Sequence, residues 1–141
     1  MATAIINGLN TTSHDIIISG SSLPRSREIA EQLGVKAALS HQSDLVILGI
    51  KPQMFEPVLA GLHFHQPILS MAAGVTLERL GKLTDPNLPL IRIMPNLNAQ
   101  ILKSTTAICT NDNVSAELIA TTKEITNSFG STFDIPEKDF D

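Results

Sequence analysis

Leu45-Val46-Ile47-Leu48-Gly49-Ile50-Lys51-Pro52-Gln53 is the stretch on which the fold turns. Five of its first six residues are apolar and three of the nine are β-branched. Such a run reads as a strand buried on both faces, the kind found in parallel α/β sheets. Polar character begins only at Lys51, at the C-terminal end. In open parallel sheets, ligands bind beyond that end of the strands.

The neighbouring segments repeat the pattern. Upstream, Met1 to Leu9 carries Ile5, Ile6 and Leu9 and predicts a short helix. Ile16-Ile17-Ile18 predicts a strand, and Pro24 opens a helix with Ser22 or Leu23 near its cap. Gly34 suits the end of that helix, and Val35 to Leu39 predicts a brief strand. Downstream, Pro52 fits a first helical turn, followed by Phe55, Val58, Leu59 and Leu62 at helical spacing. Gln66 to Ala73 and Leu88 to Met94 predict strands, separated by a short helix capped by Thr76 and by the turn Asp85-Pro86-Asn87. Thr105 to Thr110 predicts a further strand. A helix runs from Ser115, with Gly130 as its expected end, and Ser131 to Ile135 closes the series. The alternation predicts a parallel sheet with helices on both faces.

Composition narrows the function. The 141-residue chain can bury one core. At 43% apolar content, disorder is not expected. No apolar run approaches the roughly 20 residues of a membrane span, and Met1 to Leu9 lacks the basic start of a secretory signal. The net charge of −4 and scattered basic residues argue against a nucleic-acid surface. With no Trp or Tyr, base-stacking platforms are not expected either. The single cysteine, Cys109, fits a reducing, cytoplasmic compartment and reads as a small buried hydrophobe. His63 and His65 have no partners in sequence that would complete a metal site, so none is expected.

Three strands end in small or special residues: Gly49-Ile50-Lys51-Pro52, Ala72-Ala73-Gly74 and Met94-Pro95-Asn96. Aligned along one crevice, Ala and Gly let a flat ligand approach the backbone closely. The same residues are also common in ordinary strand-to-helix turns. After the Ile16 strand come Ser21, Ser22 and Arg25 without an acid, a set that suits a ribose 2′-phosphate and leans to NADP over NAD.

Four of these stretches together resemble the pyrroline-5-carboxylate reductases. Ile47 to Gln53 looks like that family's AVKPQ strand end. Ser70-Met71-Ala72-Ala73-Gly74-Val75 is similar to its S-x-AAGV segment, and Ile91 to Asn96 to its RVMPN segment. Thr105 to Cys109 resembles the strand that follows. The order and spacing match along nearly the whole chain.

The resemblance implies a Rossmann-like, doubly wound α/β domain over residues 1–135, truncated at its N-terminus, with residues 136–141 beginning a linker to a helical C-terminal domain. It implies reduction of 1-pyrroline-5-carboxylate to L-proline with NADP, or with NAD, as cofactor. Ser21, Ser22 and Arg25 would meet the 2′-phosphate. Ile50, Lys51, Pro52 and Gln53 would line the nicotinamide ribose. Ala72, Ala73 and Gly74 would lie against the nicotinamide, and Asn96 near the bottom of the pocket. No single catalytic residue is implied.

The chain departs from the family pattern at its start. Met1-Ala2 matches the end of the family's first glycine-rich turn, and no Gly-x-Gly-x-x-Gly occurs anywhere. The family's first strand would lie between those at Ile16 and Leu45. Its absence predicts unpaired backbone on both neighbours, and such a gap allows exchange of elements with a second copy, hence a homo-oligomer. The segment between Gly34 and Leu45 is also short for the family. These departures imply that the chain alone is inactive, and they leave a second reading open: a degenerate, non-catalytic relative acting as a binding or regulatory module.

Overall fold

Short apolar runs punctuated by Pro, Gly and hydroxyl caps become an alternating α/β chain. The computed structural model describes residues 1–9, 14–20, 22–38 and 42–140. Helices are α1 (Ala2–Leu9), α2 (Leu23–Leu33), α3 (Phe55–Leu59), α4 (Leu77–Leu83) and α5 (Ala116–Asn127). Strands are β1 (Ile17–Ile18), β2 (Lys36–Ala37), β3 (Val46–Leu48), β4 (Ile68–Ser70), β5 (Leu90–Met94), β6 (Ser104–Thr110) and β7 (Gly130–Asp134).

Side-chain caps set three helix starts by accepting first-turn N–H groups. Ser22 accepts from the Arg25 N–H at 3.4 Å, Thr76 from Arg79 at 3.2 Å and Ser115 from Leu118 at 3.1 Å. Gly34, at φ 69°, ends α2 in the left-handed conformation that glycine tolerates best.

The strands form two sheets. Among the described residues β1 pairs in parallel only with β2, while the larger sheet runs in the order β3-β4-β5-β6-β7. β3, β4 and β5 are parallel, in register through Leu48, Ser70 and Arg92. Among the described residues no ladder joins β1 to β3. The expected gap between them is therefore not closed by their own approach.

This changes the reading of Leu45 to Leu48. Among the described residues the run forms the edge of the large sheet, and of β3 only Leu48 is buried. An apolar run records the demand for burial; it does not record whether a pairing partner stands beside it.

The sheet is also not purely parallel. β6 runs antiparallel to β5, with Arg92 opposite Cys109. The connection over 95–103 holds only a 3-10 turn, Leu97–Ile101, and a left-handed Leu102 at φ 58°. A parallel return would need a crossover of a dozen or more residues.

Alternation along the strands separates two cores. On one face Leu69, Ile91, Ile93 and Ile108 pack with Ala4, Ile5 and Leu9 of α1, Ile125 of α5, and Phe129. On the other, Leu48, Ile68 and Leu90 pack with Phe55 and Leu59 of α3, Leu80 of α4, and Val75. Helices thus cover both faces. Glycine at position 8 lets α1 settle on the end of α5, since a β-carbon there would lie 2.9 Å from Ser128 Oγ.

Three smaller expectations are corrected. Val58 and Leu62 are exposed at 38% and 51%, because α3 ends at Leu59 and only Phe55 and Leu59 reach the core. Cys109 is half-buried. Gly130 does not end α5; that helix stops at Asn127 and Gly130 opens β7 beside Ser104.

Candidate cofactor site

The parallel register of β3, β4 and β5 places their C-terminal ends at one edge of the sheet. The loops carrying Gly49 to Gln53, Met71 to Gly74 and Pro95 to Asn96 leave from that edge, so the structure brings these three predicted segments together.

On the first loop, Lys51 is extended (φ −70°, ψ 146°) and precedes the 3-10 turn Pro52–Met54. Pro52 supplies the fixed φ for that turn's first position. Lys51, Pro52 and Gln53 are exposed, and Ile50 is half-buried against the second core. The N-terminal end of α1 abuts this loop. A β-carbon on Gly49 would come within 3.0 Å of the Ala2 methyl.

The second loop is held at its base. Buried Ser70 accepts the Ala72 N–H on its Oγ at 3.3 Å. Ala72 is buried, whereas Ala73 and Gly74 are exposed. Gly74 has φ 71°, and a β-carbon there would meet nothing within 4 Å. Glycine is required for the backbone turn, and the space before it is open to a planar group.

On the third loop, Asn96 caps the 3-10 turn. Its Oδ1 accepts the Asn98 N–H at 3.2 Å, and its own N–H donates to Ser104 Oγ at 3.2 Å. The carboxamide oxygen is thus committed locally. Asn96 also borders an apolar groove of about 510 Å³, lined with Met94, Pro95, Thr105, Ala107, Phe133 and Ile135. Sequence reasoning missed this groove. Its residues come from three strands, and the only signal was the period-two spacing of Thr105 and Ala107.

The expected 2′-phosphate set is less unified. Ser22 and Arg25 are exposed at the start of α2, with the Ser22 hydroxyl engaged as the cap. Ser21 lies outside the described residues. This set follows β1, which belongs to the smaller sheet. A separate hollow of about 250 Å³ near His14, Asp15 and Lys36 lies at the opposite ends of β1 and β2, away from these loops. His63 and His65 are exposed on the segment before β4.

A doubly wound sheet with small residues at adjacent parallel strand ends defines a dinucleotide-binding domain. The chain belongs to the family described as NADP oxidoreductase, coenzyme F420-dependent, whose model matches residues 1–74. Its similarity to pyrroline-5-carboxylate reductases extends over almost all of it. The Streptococcus pyogenes 1-pyrroline-5-carboxylate reductase structure is 63% identical, with a TM-score of 0.95, over 99% of this chain and 56% of that one. The Staphylococcus epidermidis pyrroline-5-carboxylate reductase is 33% identical over 96% of this chain and 54% of its own length. A Plasmodium falciparum pyrroline carboxylate reductase with NADP bound shares the fold at 18% identity and a TM-score of 0.77. The resemblance carried by the four sequence motifs therefore holds. The chain spans about half the length of the curated relatives it matches. No helix among the described residues is long and apolar enough to cross a membrane.

Proposed function

We propose that this chain is the cofactor half of an NADP-dependent reductase that converts 1-pyrroline-5-carboxylate to L-proline in proline biosynthesis. The observation that carries the reading is the 63% identity to the Streptococcus pyogenes reductase over 99% of the chain. The cofactor, when bound, supplies the hydride for the imine carbon. The chain's own residues bind it and orient it. Ile50, Lys51, Pro52 and Gln53 form the wall beside the nicotinamide ribose, and Ala72, Ala73 and Gly74 offer the flat surface for the ring. Open space before Gly74 supports that fit. Asn96 borders the substrate side. Ser21, Ser22 and Arg25 address the 2′-phosphate and favour NADP over NAD. Rate enhancement then rests on holding hydride donor and imine in register. The same reading makes the partner a small molecule rather than nucleic acid or membrane, the location cytoplasmic and the working assembly a homo-oligomer.

Calorimetric titration with NADPH and NADH tests the cofactor assignment. Residues 1–141 contain no Gly-x-Gly-x-x-Gly turn to cradle the diphosphate, so binding by these residues alone is expected to be weaker than the roughly micromolar level worth about 8 kcal/mol, with NADPH preferred. Pyrroline-5-carboxylate-dependent oxidation of NADPH is expected only after the remaining half of a relative is supplied. Failure to bind either nucleotide at millimolar concentration would reject this reading in favour of a non-catalytic binding module.

A further inference from the structure

The sheet face that carries Leu90 also carries Arg92, which is 1% exposed. Its guanidinium meets two groups from the segment after β7. Nη1 donates to Glu137 Oε1 at 3.2 Å, and the Phe140 ring centre lies 4.8 Å from Cζ. Phe140 is itself buried. Residues 136–140, within the 136–141 segment expected to begin a linker, therefore dock onto the domain.

Glu137 has a second role. The same Oε1 accepts the backbone N–H of Leu77 at 2.6 Å. Leu77 is the first residue of α4, where N–H groups lack partners within the helix. The Thr76 side chain serves the Arg79 N–H. A carboxylate at that position also complements the helix dipole. The loop bearing Ala73 and Gly74 is thus pinned at both ends, by Ser70 Oγ on Ala72 and by Glu137 on Leu77.

We infer that Glu137 is a positioning residue for the Ala72–Gly74 turn, with Arg92 and Phe140 holding it in place, so that docking of residues 136–140 sets the surface offered to the nicotinamide. The nicotinamide assignment rests on the function proposed above; the pinning of the turn does not. The carboxylate must reach Leu77 while it is paired with Arg92. Leu77 requires reach and an acceptor oxygen, while the negative charge serves the buried Arg92 guanidinium. Glu137→Gln keeps both requirements. Glu137→Asp keeps the charge but draws the carboxylate back by one methylene.

Amide hydrogen exchange and nitrogen-15 spectra of the full chain test this directly. In E137D the Leu77 amide is expected to exchange at least ten-fold faster and the Ala73 to Thr76 resonances to shift, while β6 amides stay as in the wild type. E137Q is expected to keep Leu77 protected. Unchanged Leu77 exchange in E137D, or loss in E137Q with retention in E137D, would overturn the inference. A second readout separates positioning from general destabilisation. E137D is expected to weaken NADPH at least five-fold and leave adenosine 2′,5′-bisphosphate, which lacks the nicotinamide, unchanged. Equal weakening of both overturns the positioning role. A wild-type chain that binds neither nucleotide rejects the cofactor reading, and the exchange data still decide whether Glu137 pins the turn.

Discussion

Gly130 lies so close to Ser104 that a β-carbon on it would overlap the Ser104 backbone carbonyl. The two residues are paired across the parallel ladder of β6 and β7. Gly130 has φ 156°, so both conformation and proximity select glycine. Gly130→Ala is expected to destabilise the chain by about 3 kcal/mol, as overpacking at a fixed backbone contact does. Urea unfolding reads this as a fall in midpoint without a change in slope.

Gly74 makes the opposite case. Its φ is 71°, yet a β-carbon there would meet nothing within 4 Å. Only backbone strain opposes a side chain, worth about 1–2 kcal/mol. Gly74→Ala is therefore expected to cost less stability than Gly130→Ala. Its effect on NADPH affinity should exceed its effect on stability, because the added methyl occupies the space proposed for the ring. Parallel denaturation and titration curves check the ordering.

The Ser22 hydroxyl caps α2, and it is also proposed to meet a 2′-phosphate. Two substitutions separate these roles. Ser22→Ala is expected to cost about 1 kcal/mol of stability and Ser22→Gly only a few tenths. Both remove the hydroxyl, so both should weaken NADPH alike and leave NADH unaffected. A loss of NADPH affinity that instead followed the stability order would assign Ser22 to the cap alone.

Glu78 accepts a hydrogen bond from the Lys82 ammonium at 2.6 Å, and this bond, with the attraction of the charge, holds its carboxyl below the ordinary value. A depressed carboxyl contributes stability at neutral pH that is lost as pH falls through its folded value. Lys82→Met is expected to raise the Glu78 titration midpoint, measured by carbon-13 NMR. Because the pair is fully exposed, midpoints of thermal unfolding at neutral pH should scarcely move.

Phe133 is 52% exposed on the wall of the apolar groove. Phe133→Ser is expected to change stability by no more than about 0.5 kcal/mol. It should lower the fluorescence of a bound hydrophobic dye, which needs contiguous apolar surface.

Much of the fold was legible because it rests on local chemistry. Ser22, Thr76 and Ser115 mark helix starts through hydroxyls that accept amide hydrogens three residues ahead. Pro52 and Gly34 impose backbone angles on their own positions. What stayed illegible depends on distant partners. Leu45 to Leu48 is apolar whether it lies in the centre of a sheet or at its edge. The direction of β6 follows from how little chain separates it from β5. Glu137 reads as one more acid on a charged tail, because its partners Arg92 and Leu77 stand 45 and 60 residues away. The aligned strand ends of the site were visible as motifs; the groove beside Asn96 was not, since no single segment contains it.

The division into two sheets has a consequence for cooperativity. β1, α2, β2 and the residues leading into them hold to the rest of the chain by side-chain contacts, Ile16 against the first core, α2 against α1 and His14 Nε2 3.5 Å from Glu124 Oε1, and no strand ladder binds them to the larger sheet among the described residues. Such a unit opens at lower free energy than a central ladder does. Limited proteolysis should cut within residues 14–38 well before the β4–β5 centre becomes accessible. Addition of a nucleotide that spans both parts should slow that early cleavage. The half of the crevice expected to grip the adenosine would then be the half that melts first, and ligand would act as the fastener the backbone does not provide.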